Sequence, residues 1–411
     1  MRRAGLWVIA FASLVGAFST ILSVTRTDVV DVPAALERLL DRRTDGERAI
    51  AAAQAKLDAA PNDPRAAAAL ASAYLSRVRE TYDPTLYAKA AVLLERAIAA
   101  APSDPDVAIT AANLALSRHD FAEALRLGLV AQASAPARPA VYGVLTDAHV
   151  ELGQYAEAVA SAQRMVDLRP DLSSYSRVSY LRELHGDIDG AIDAMRRAVE
   201  AGAPRAEGTA WSQVQLGNLY LAKNDLDAAS RAYDEALQRV DGYVFAIAGQ
   251  ARVLVARGDL ARATALYDQI AQRLPVPDFV IALADLHERL GDTSRAAQDA
   301  VLVAAMEQLL KANGVRVDVD LALFDADHDL RIDEALSTAR AEYAIRPSVT
   351  VAMTLAWTEY KTGDLRSASL HAKEALRLGW RDPVAVRRAD VIARAAGDVA
   401  LAQRVSELQA R

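Results

Sequence analysis

The segment ALFDADHDLRIDEAL, from Ala322 to Leu336, carries the residues in this chain best suited to binding a metal ion. Four carboxylates there could act as ligands: Asp325, Asp327, Asp329 and Asp333. The first three alternate as the first, third and fifth ligands of a calcium-binding loop do. Leu330 and Leu336 stand where such a loop needs a glycine and a bidentate glutamate. We therefore interpret the segment as a solvated turn between helices, with a weak calcium-dependent switch as the alternative.

Catalytic chemistry has little support elsewhere in the sequence. The histidines form no HExxH pair, and no GxxxxGK[ST], GxGxxG or GxSxG motif occurs. The chain has no cysteine, which excludes thiolate catalysis, disulfides and cysteine-bound zinc. We expect neither an enzyme nor a bound cofactor.

Composition indicates an acidic, helical protein. The net charge is -7 and no basic patch is evident, which argues against nucleic acid as the main partner. Apolar residues make up 52% of the chain, and alanine, a strong helix former, dominates them. Apolar β-branched runs bounded by turn signals are nearly absent, so no extensive sheet is expected.

The N-terminus differs from the rest of the chain. Residues Leu6 to Val24 contain no charge and, as a helix, would span roughly 28 Å, close to the bilayer core. Arg2 and Arg3 precede this run, which predicts an N-terminus inside and a single-pass protein facing out of the cytoplasm. An uncleaved anchor is favoured; the alternative is a signal peptide cleaved near Ala17 and a secreted or periplasmic protein.

A period of about 34 residues runs through most of the chain. One series of prolines is separated by steps of 34: Pro102, Pro136, Pro170 and Pro204. Turn signals such as Gly153-Gln154 and Gly186-Asp187 recur at a similar spacing. An alanine follows each turn start by five residues: Ala124, Ala158, Ala191, Ala229, Ala263, Ala296, Ala368 and Ala402.

The period predicts repeated pairs of antiparallel helices. Glycine or asparagine at the turn permits the positive φ with which a helix commonly ends. The aspartate beside it suits the start of the next helix, where its carboxylate accepts unpaired N–H groups. The recurrent alanine lets two helices approach closely, since a larger side chain would separate them.

The segment QLGNLYLAKNDLDAASRAYDEAL, from Gln215 to Leu237, resembles the tetratricopeptide repeat family. Its matching residues are Leu216, Gly217, Tyr220, Ala229, Tyr233 and Ala236. The resemblance covers about Asp63 to Arg411, and a degenerate unit begins near Pro33. It implies an all-α, right-handed superhelical solenoid of about ten to eleven antiparallel helix pairs with a concave inner face.

Insertions interrupt the period at three places, and such insertions usually form loops on one face. They are RETYDPT between Tyr74 and Tyr87, RAEG between Pro204 and Trp211, and a segment between Met306 and Leu330. The predicted organisation is a basic N-terminus (1–5), a membrane helix (6–24), a linker with a degenerate repeat (25–62) and the solenoid (63–411).

By analogy with the family, inner-face residues lie thirteen, ten, six and three positions before each turn. The candidates for partner binding are Asn113, Asp147, Tyr180, Trp211, Asn218, Leu221, Phe245, Arg252, Asp285 and Trp357. This mixture of amide, aromatic and apolar groups suits an extended or helical peptide. Some family members clamp a partner's C-terminal carboxylate, but Val144 and Gly249 stand where the second asparagine of that clamp belongs.

We therefore expect a non-enzymatic scaffold or assembly factor, anchored at the membrane, that binds protein or peptide partners of the cell envelope in its groove. The alternative is a structural protein that associates with itself to form a homo-oligomer.

Overall fold

The predicted helices fill the described chain. A computed structural model describes residues 44–316 and 319–410, and this part contains 21 helices and no strand. They are α1 (Asp45–Ala59), α2 (Pro64–Thr81), α3 (Thr85–Ala100), α4 (Pro105–Ser117), α5 (Phe121–Ser134), α6 (Pro139–Glu151), α7 (Tyr155–Leu168), α8 (Leu172–Leu184), α9 (Ile188–Ala201), α10 (Glu207–Ala222), α11 (Leu226–Arg239), α12 (Val244–Ala256), α13 (Leu260–Arg273), α14 (Pro277–Arg289), α15 (Thr293–Ala312), α16 (Val319–Asp327), α17 (Ile332–Ile345), α18 (Val349–Lys361), α19 (Leu365–Ala375), α20 (Pro383–Ala396) and α21 (Val399–Gln409). Consecutive helices pack as pairs, so the predicted all-helical repeat solenoid is confirmed.

Contacts divide the chain into two units, Met1–Arg48 and Ala49–Arg411. All packing from α2 onward lies within the second unit. The predicted membrane helix over Leu6–Val24 and the basic N-terminus lie outside the described residues.

The predicted single-pass membrane localisation is wrong. Within residues 44–316 and 319–410, no helix combines the length and the apolar character needed to cross a membrane. A spanning helix needs about 20 predominantly apolar residues. The longest described helix, α15, has 20 residues, but Asp299, Glu307 and Lys311 are among them.

The turns inside the helix pairs follow the predicted pattern. Seven aspartates cap the second helix of a pair by accepting a backbone N–H: Asp120, Asp187, Asp225, Asp259, Asp292, Asp364 and Asp398. The residue before the cap has a positive φ even where it is not glycine, with 59° at His119 and 61° at Asn224. The first helix therefore stops and the next one starts within three residues.

The recurrent alanines lie at the closest helix contacts. Six of them are 0% exposed: Ala124, Ala158, Ala191, Ala229, Ala263 and Ala368. Two glycines extend this close packing, because the buried Tyr233 ring of α11 lies between Gly217 of α10 and Gly249 of α12. A Cβ on Gly249 would lie 2.6 Å from Cζ of this ring, and one on Gly217 would lie 2.7 Å from its Cδ1. A larger residue at either glycine would push these helices apart.

Late repeats of the solenoid contact early ones. The Val349 N–H at the start of α18 donates to the Tyr155 hydroxyl at the start of α7 (2.8 Å). Arg346, only 4% exposed, donates from Nη1 to Glu151 of α6 (3.0 Å). Because these partners are separated by about half the chain, the repeats curl back on themselves instead of forming an open arc.

A second contact set joins the end of α4 to the chain after α15. Arg118 donates from Nε to the Gly314 carbonyl (2.7 Å), and the Arg316 N–H donates to the Arg118 carbonyl (3.1 Å). These backbone-directed bonds fix the segment between α15 and α16 across the inner face of the early repeats.

Candidate partner-binding cavity

The inner face of the curled solenoid surrounds a cavity of about 630 Å³, called the inner cavity below. Five of the ten predicted partner-binding residues line it: Trp211, Asn218, Phe245, Arg252 and Asp285. The first helices of three successive pairs, α10, α12 and α14, supply them. The repeat register thus identified one face of three neighbouring helices.

Helical spacing explains why these side chains meet. Trp211 and Asn218 are seven residues apart on α10, which is close to two turns, and so are Phe245 and Arg252 on α12. Each helix therefore presents one aromatic and one polar side chain to the same space. Stacking α12 beside α10 places the two pairs next to each other.

Two of the polar candidates are held by the protein itself. The Asn218 side-chain oxygen accepts from Arg252 Nη2 (2.9 Å) and from the Tyr233 hydroxyl (2.8 Å). Burial raises the pKa of Tyr233 to about 12, so this hydroxyl remains a donor at neutral pH. Trp211, by contrast, is 41% exposed and offers its ring to a ligand.

Sequence reasoning missed part of the cavity wall, because these residues come from distant repeats. The additional residues are Tyr82, Asp278, Asp320 and Arg388. Tyr82 follows α2 with a φ of 53°, and its ring centroid lies 6.0 Å from that of Phe245. Its loop belongs to the insertion RETYDPT, so the irregular spacing was the available signal.

Two predicted residues line a different, smaller cavity of about 190 Å³. Asp147 of α6 and Tyr180 of α8 are found there. Arg177 holds Asp147 through two bonds, from Nε to Oδ1 (2.8 Å) and from Nη2 to Oδ2 (2.5 Å). The structure therefore separates this pair from the inner cavity.

The remaining three candidates have other surroundings. Asn113 is exposed on α4 and lines none of the cavities described here. Leu221 packs against the buried cluster around Tyr233, which is a core position. Trp357 donates from Nε1 to Asp327 (2.8 Å), so it contacts the wall of the inner cavity from behind.

The acidic segment differs from the solvated turn predicted for it. Helix α16 continues to Asp327, and Asp325 is only 6% exposed because Arg331 binds both of its oxygens, at 2.8 and 3.0 Å. Asp327 pairs with Arg388 (2.5 Å), and Asp329 pairs with Lys361 (2.6 Å).

These carboxylates therefore point at three different cations and do not converge on one point. Asp333, the fourth candidate ligand, is exposed in the first turn of α17. Across the described ranges 44–316 and 319–410, no group of three or more carboxylates or histidines is arranged to hold a metal ion.

His328 connects the acidic segment to α14. Its Nε2 lies 2.8 Å from Asp285 and its Nδ1 lies 2.9 Å from Glu288. The hydrogen bond to Asp285 raises the pKa of His328, and the charges of Asp285, Glu288 and Asp327 add to the effect although burial opposes it. A protonated ring can donate to both carboxylates, which ties α16 to α14 beside the cavity.

Comparison with known proteins supports the repeat assignment. One tetratricopeptide repeat model matches residues 145–206 and 249–313, and a second matches residues 212–239. A search of the curated proteins finds no match to the sequence.

Solved structures with a similar fold include three of known description. The human IFIT1 dimer with m7Gppp-AAAA is 14% identical, with 77% of this chain and 72% of that chain covered and a TM-score of 0.51. A thermophilic tetratricopeptide repeat protein of Thermus thermophilus is 22% identical over 45% of this chain and 99% of that one (TM-score 0.40). The type IV pilus biogenesis factor PilW is 14% identical over 49% and 92% (TM-score 0.41).

At these identities the likeness concerns the fold alone. The chain is an all-helical repeat solenoid, and the predicted tetratricopeptide repeats are confirmed over residues 145–206, 212–239 and 249–313.

Proposed function

We propose that this protein is a non-enzymatic scaffold that binds a short segment of a partner protein in the inner cavity. The observation that carries the proposal is the presence of two aromatic rings, Trp211 at 41% and Tyr82 at 39% exposure, on the wall of a cavity of about 630 Å³. Aromatic side chains exposed in a concave site are typical anchors for a protein partner.

The closed solenoid limits the size of the partner segment. A cavity of about 630 Å³ lies in the range of roughly 300–1,000 Å³ that suits a compact ligand. We therefore replace the long extended peptide expected from the sequence with a short segment that projects into the cavity.

Nucleic acid is a poor fit to the same space. The human IFIT1 structure contains a capped RNA. Here the cavity wall carries four carboxylates and two guanidinium groups, and the whole chain has a net charge of -7. A polyphosphate backbone would meet like charge.

In-cell photocrosslinking tests the proposal. A photoreactive amino acid replaces Gln215 in the cavity wall, and crosslinked products are identified by mass spectrometry. Leu370, 65% exposed and outside the described cavities, provides the matched surface position. We expect a protein crosslinked from position 215 and not from position 370.

Purified components then give the affinity. For the identified partner, Trp211→Ala should cost about 2 kcal/mol of binding free energy, about thirtyfold in Kd, because aromatic anchors carry most of such interfaces. Leu370→Ala should leave Kd unchanged. Equal effects of the two substitutions would refute the cavity as the binding site, and crosslinks to a second copy alone would favour self-association.

A further inference from the structure

The inner cavity opens toward a second cavity of about 320 Å³, called the side cavity below. Four residues line both spaces: Tyr82, Asp278, Ile281 and Asp320. Asp278 comes from the first turn of α14 and Asp320 from the first turn of α16. Any segment that reaches from one cavity into the other therefore passes a tyrosine ring and two carboxylates.

The cations of the inner cavity already serve other groups. Arg388 pairs with Asp327 (2.5 Å) and its guanidinium carbon lies 5.6 Å from the centre of the Trp357 ring. Arg252 donates to Asn218, as described above. A ligand entering this space thus meets negative charge that the wall arginines do not balance.

Two tyrosines report that negative charge from different sides. Burial raises the pKa of Tyr82, and the charge of Asp278 raises it further. Burial also raises the pKa of Tyr267 on α13; Arg252 opposes this, while Asp278 and Asp285 add to it. The carboxylates of α14 therefore set a potential in the cavity that favours a cation.

Aromatic faces surround the same carboxylates. The Phe245 ring centroid lies 6.0 Å from that of Tyr82 and 5.7 Å from that of Phe279. A cation within about 6 Å of an aromatic centroid is attracted to the face of the ring. Carboxylates beside several rings form a site suited to an ammonium or guanidinium group.

We infer that the partner segment inserts a basic side chain, arginine or lysine, between Tyr82 and Phe245 and toward Asp278 and Asp320. This inference rests on the proposed function and specifies its chemistry. The aliphatic stem of the basic residue packs against the rings, and its charged end reaches the carboxylates at the neck between the two cavities. Arginine fits better than lysine, because its planar group stacks on a ring and binds a carboxylate in a bidentate manner.

Fluorescence anisotropy with labelled short peptides tests the inference without knowledge of the natural partner. The peptides share one neutral, partly apolar frame and differ only at a central residue: arginine, lysine, glutamine or glutamate. We expect arginine and lysine peptides to bind, glutamine peptides to bind about tenfold more weakly and glutamate peptides not to bind.

Isosteric variants of the full chain identify the carboxylates responsible. Asp278→Asn with Asp320→Asn should weaken the arginine peptide about tenfold or more, because the partner cation loses its counter-charges. The control, Asp193→Asn with Asp227→Asn, removes the same formal charge from side chains that are 70% and 79% exposed, and should leave binding unchanged. Circular dichroism confirms that both double variants are folded.

The outcomes separate this inference from the proposed function. Peptides that bind equally whatever their central residue would overturn the inference but leave the cavity as a binding site. Equal weakening by the two double variants would also overturn it, since binding would then follow net charge alone. Failure of every basic peptide to bind, while the crosslinked partner still depends on Trp211, would overturn the inference and retain the function.

Discussion

Gly249→Ala should destabilise the middle of the solenoid, although alanine is the better helix former. In a helix interior the exchange of glycine for alanine is worth about 0.5–1 kcal/mol in favour of alanine. Here the added Cβ would lie 2.6 Å from Cζ of Tyr233, far inside the roughly 3.5–4.0 Å of a normal carbon contact. Tyr233 is 0% exposed and its hydroxyl is bonded to Asn218, so its ring has little room to move.

The expected size follows from the competition between these two effects. Overpacking of a rigid core typically costs about 1–3 kcal/mol, and a contact this short belongs at the upper end. After the gain in helix propensity, a net loss of about 2 kcal/mol remains. Gly208→Ala is the matched control, because Gly208 lies in α10 and a Cβ there would meet nothing within 4 Å.

Hydrogen exchange measures the effect where it occurs. Repeat arrays need not unfold in one step, so amide protection in α10, α11 and α12 is a better readout than a single unfolding temperature. Protection should fall in Gly249→Ala and stay equal or rise in Gly208→Ala. If both variants gained protection, the interpretation of Gly249 as a close-contact position would be refuted.

Three further predictions concern the contacts between distant parts of the solenoid. The pKa of His328 is raised in the folded state, so its stabilising effect is complete below about pH 6.5 and is lost as pH rises through the raised value; the difference in urea midpoint between wild type and His328→Gln should shrink accordingly from pH 5 to pH 9. Arg346→Met leaves two carboxylates without their buried cation and should cost about 3–5 kcal/mol in urea unfolding, whereas Arg257→Met, at an exposed pair, should cost about 0–1 kcal/mol. Tyr155→Phe removes the acceptor of the buried Val349 N–H and should cost about 1–3 kcal/mol, with faster exchange of that amide; unchanged exchange would contradict the assigned bond.

The sequence predicted what the repeat itself determines. The turn aspartates and the recurrent alanines act within one helix pair, so their local spacing is sufficient to place them. The same register placed Trp211, Asn218, Phe245 and Arg252 on one face, because residues seven apart on a helix point in nearly the same direction.

What the sequence did not predict depends on curvature, which small rotations between successive pairs accumulate over the whole array. Tyr82 and Arg388 reach the inner cavity from opposite ends of the described chain, and no local pattern relates them. Leu221 shares the family's inner-face register, yet it packs into the core beside Tyr233. The burial of Asp325 depends on Arg331, whose φ of 36° turns it back toward the end of α16.

The bonds between α6–α7 and the start of α18 have a consequence for folding. In an open repeat array each unit contacts only its neighbours, so folding can begin anywhere and spread, and terminal units can be removed one at a time. Here bonded partners lie 194 and 195 residues apart in sequence. Contacts of such long sequence separation require the closure of a large loop and slow the search for the native state. Completion of the cavity is therefore a late, cooperative event, and a chain truncated before α18 should leave the early repeats folded but the cavity open.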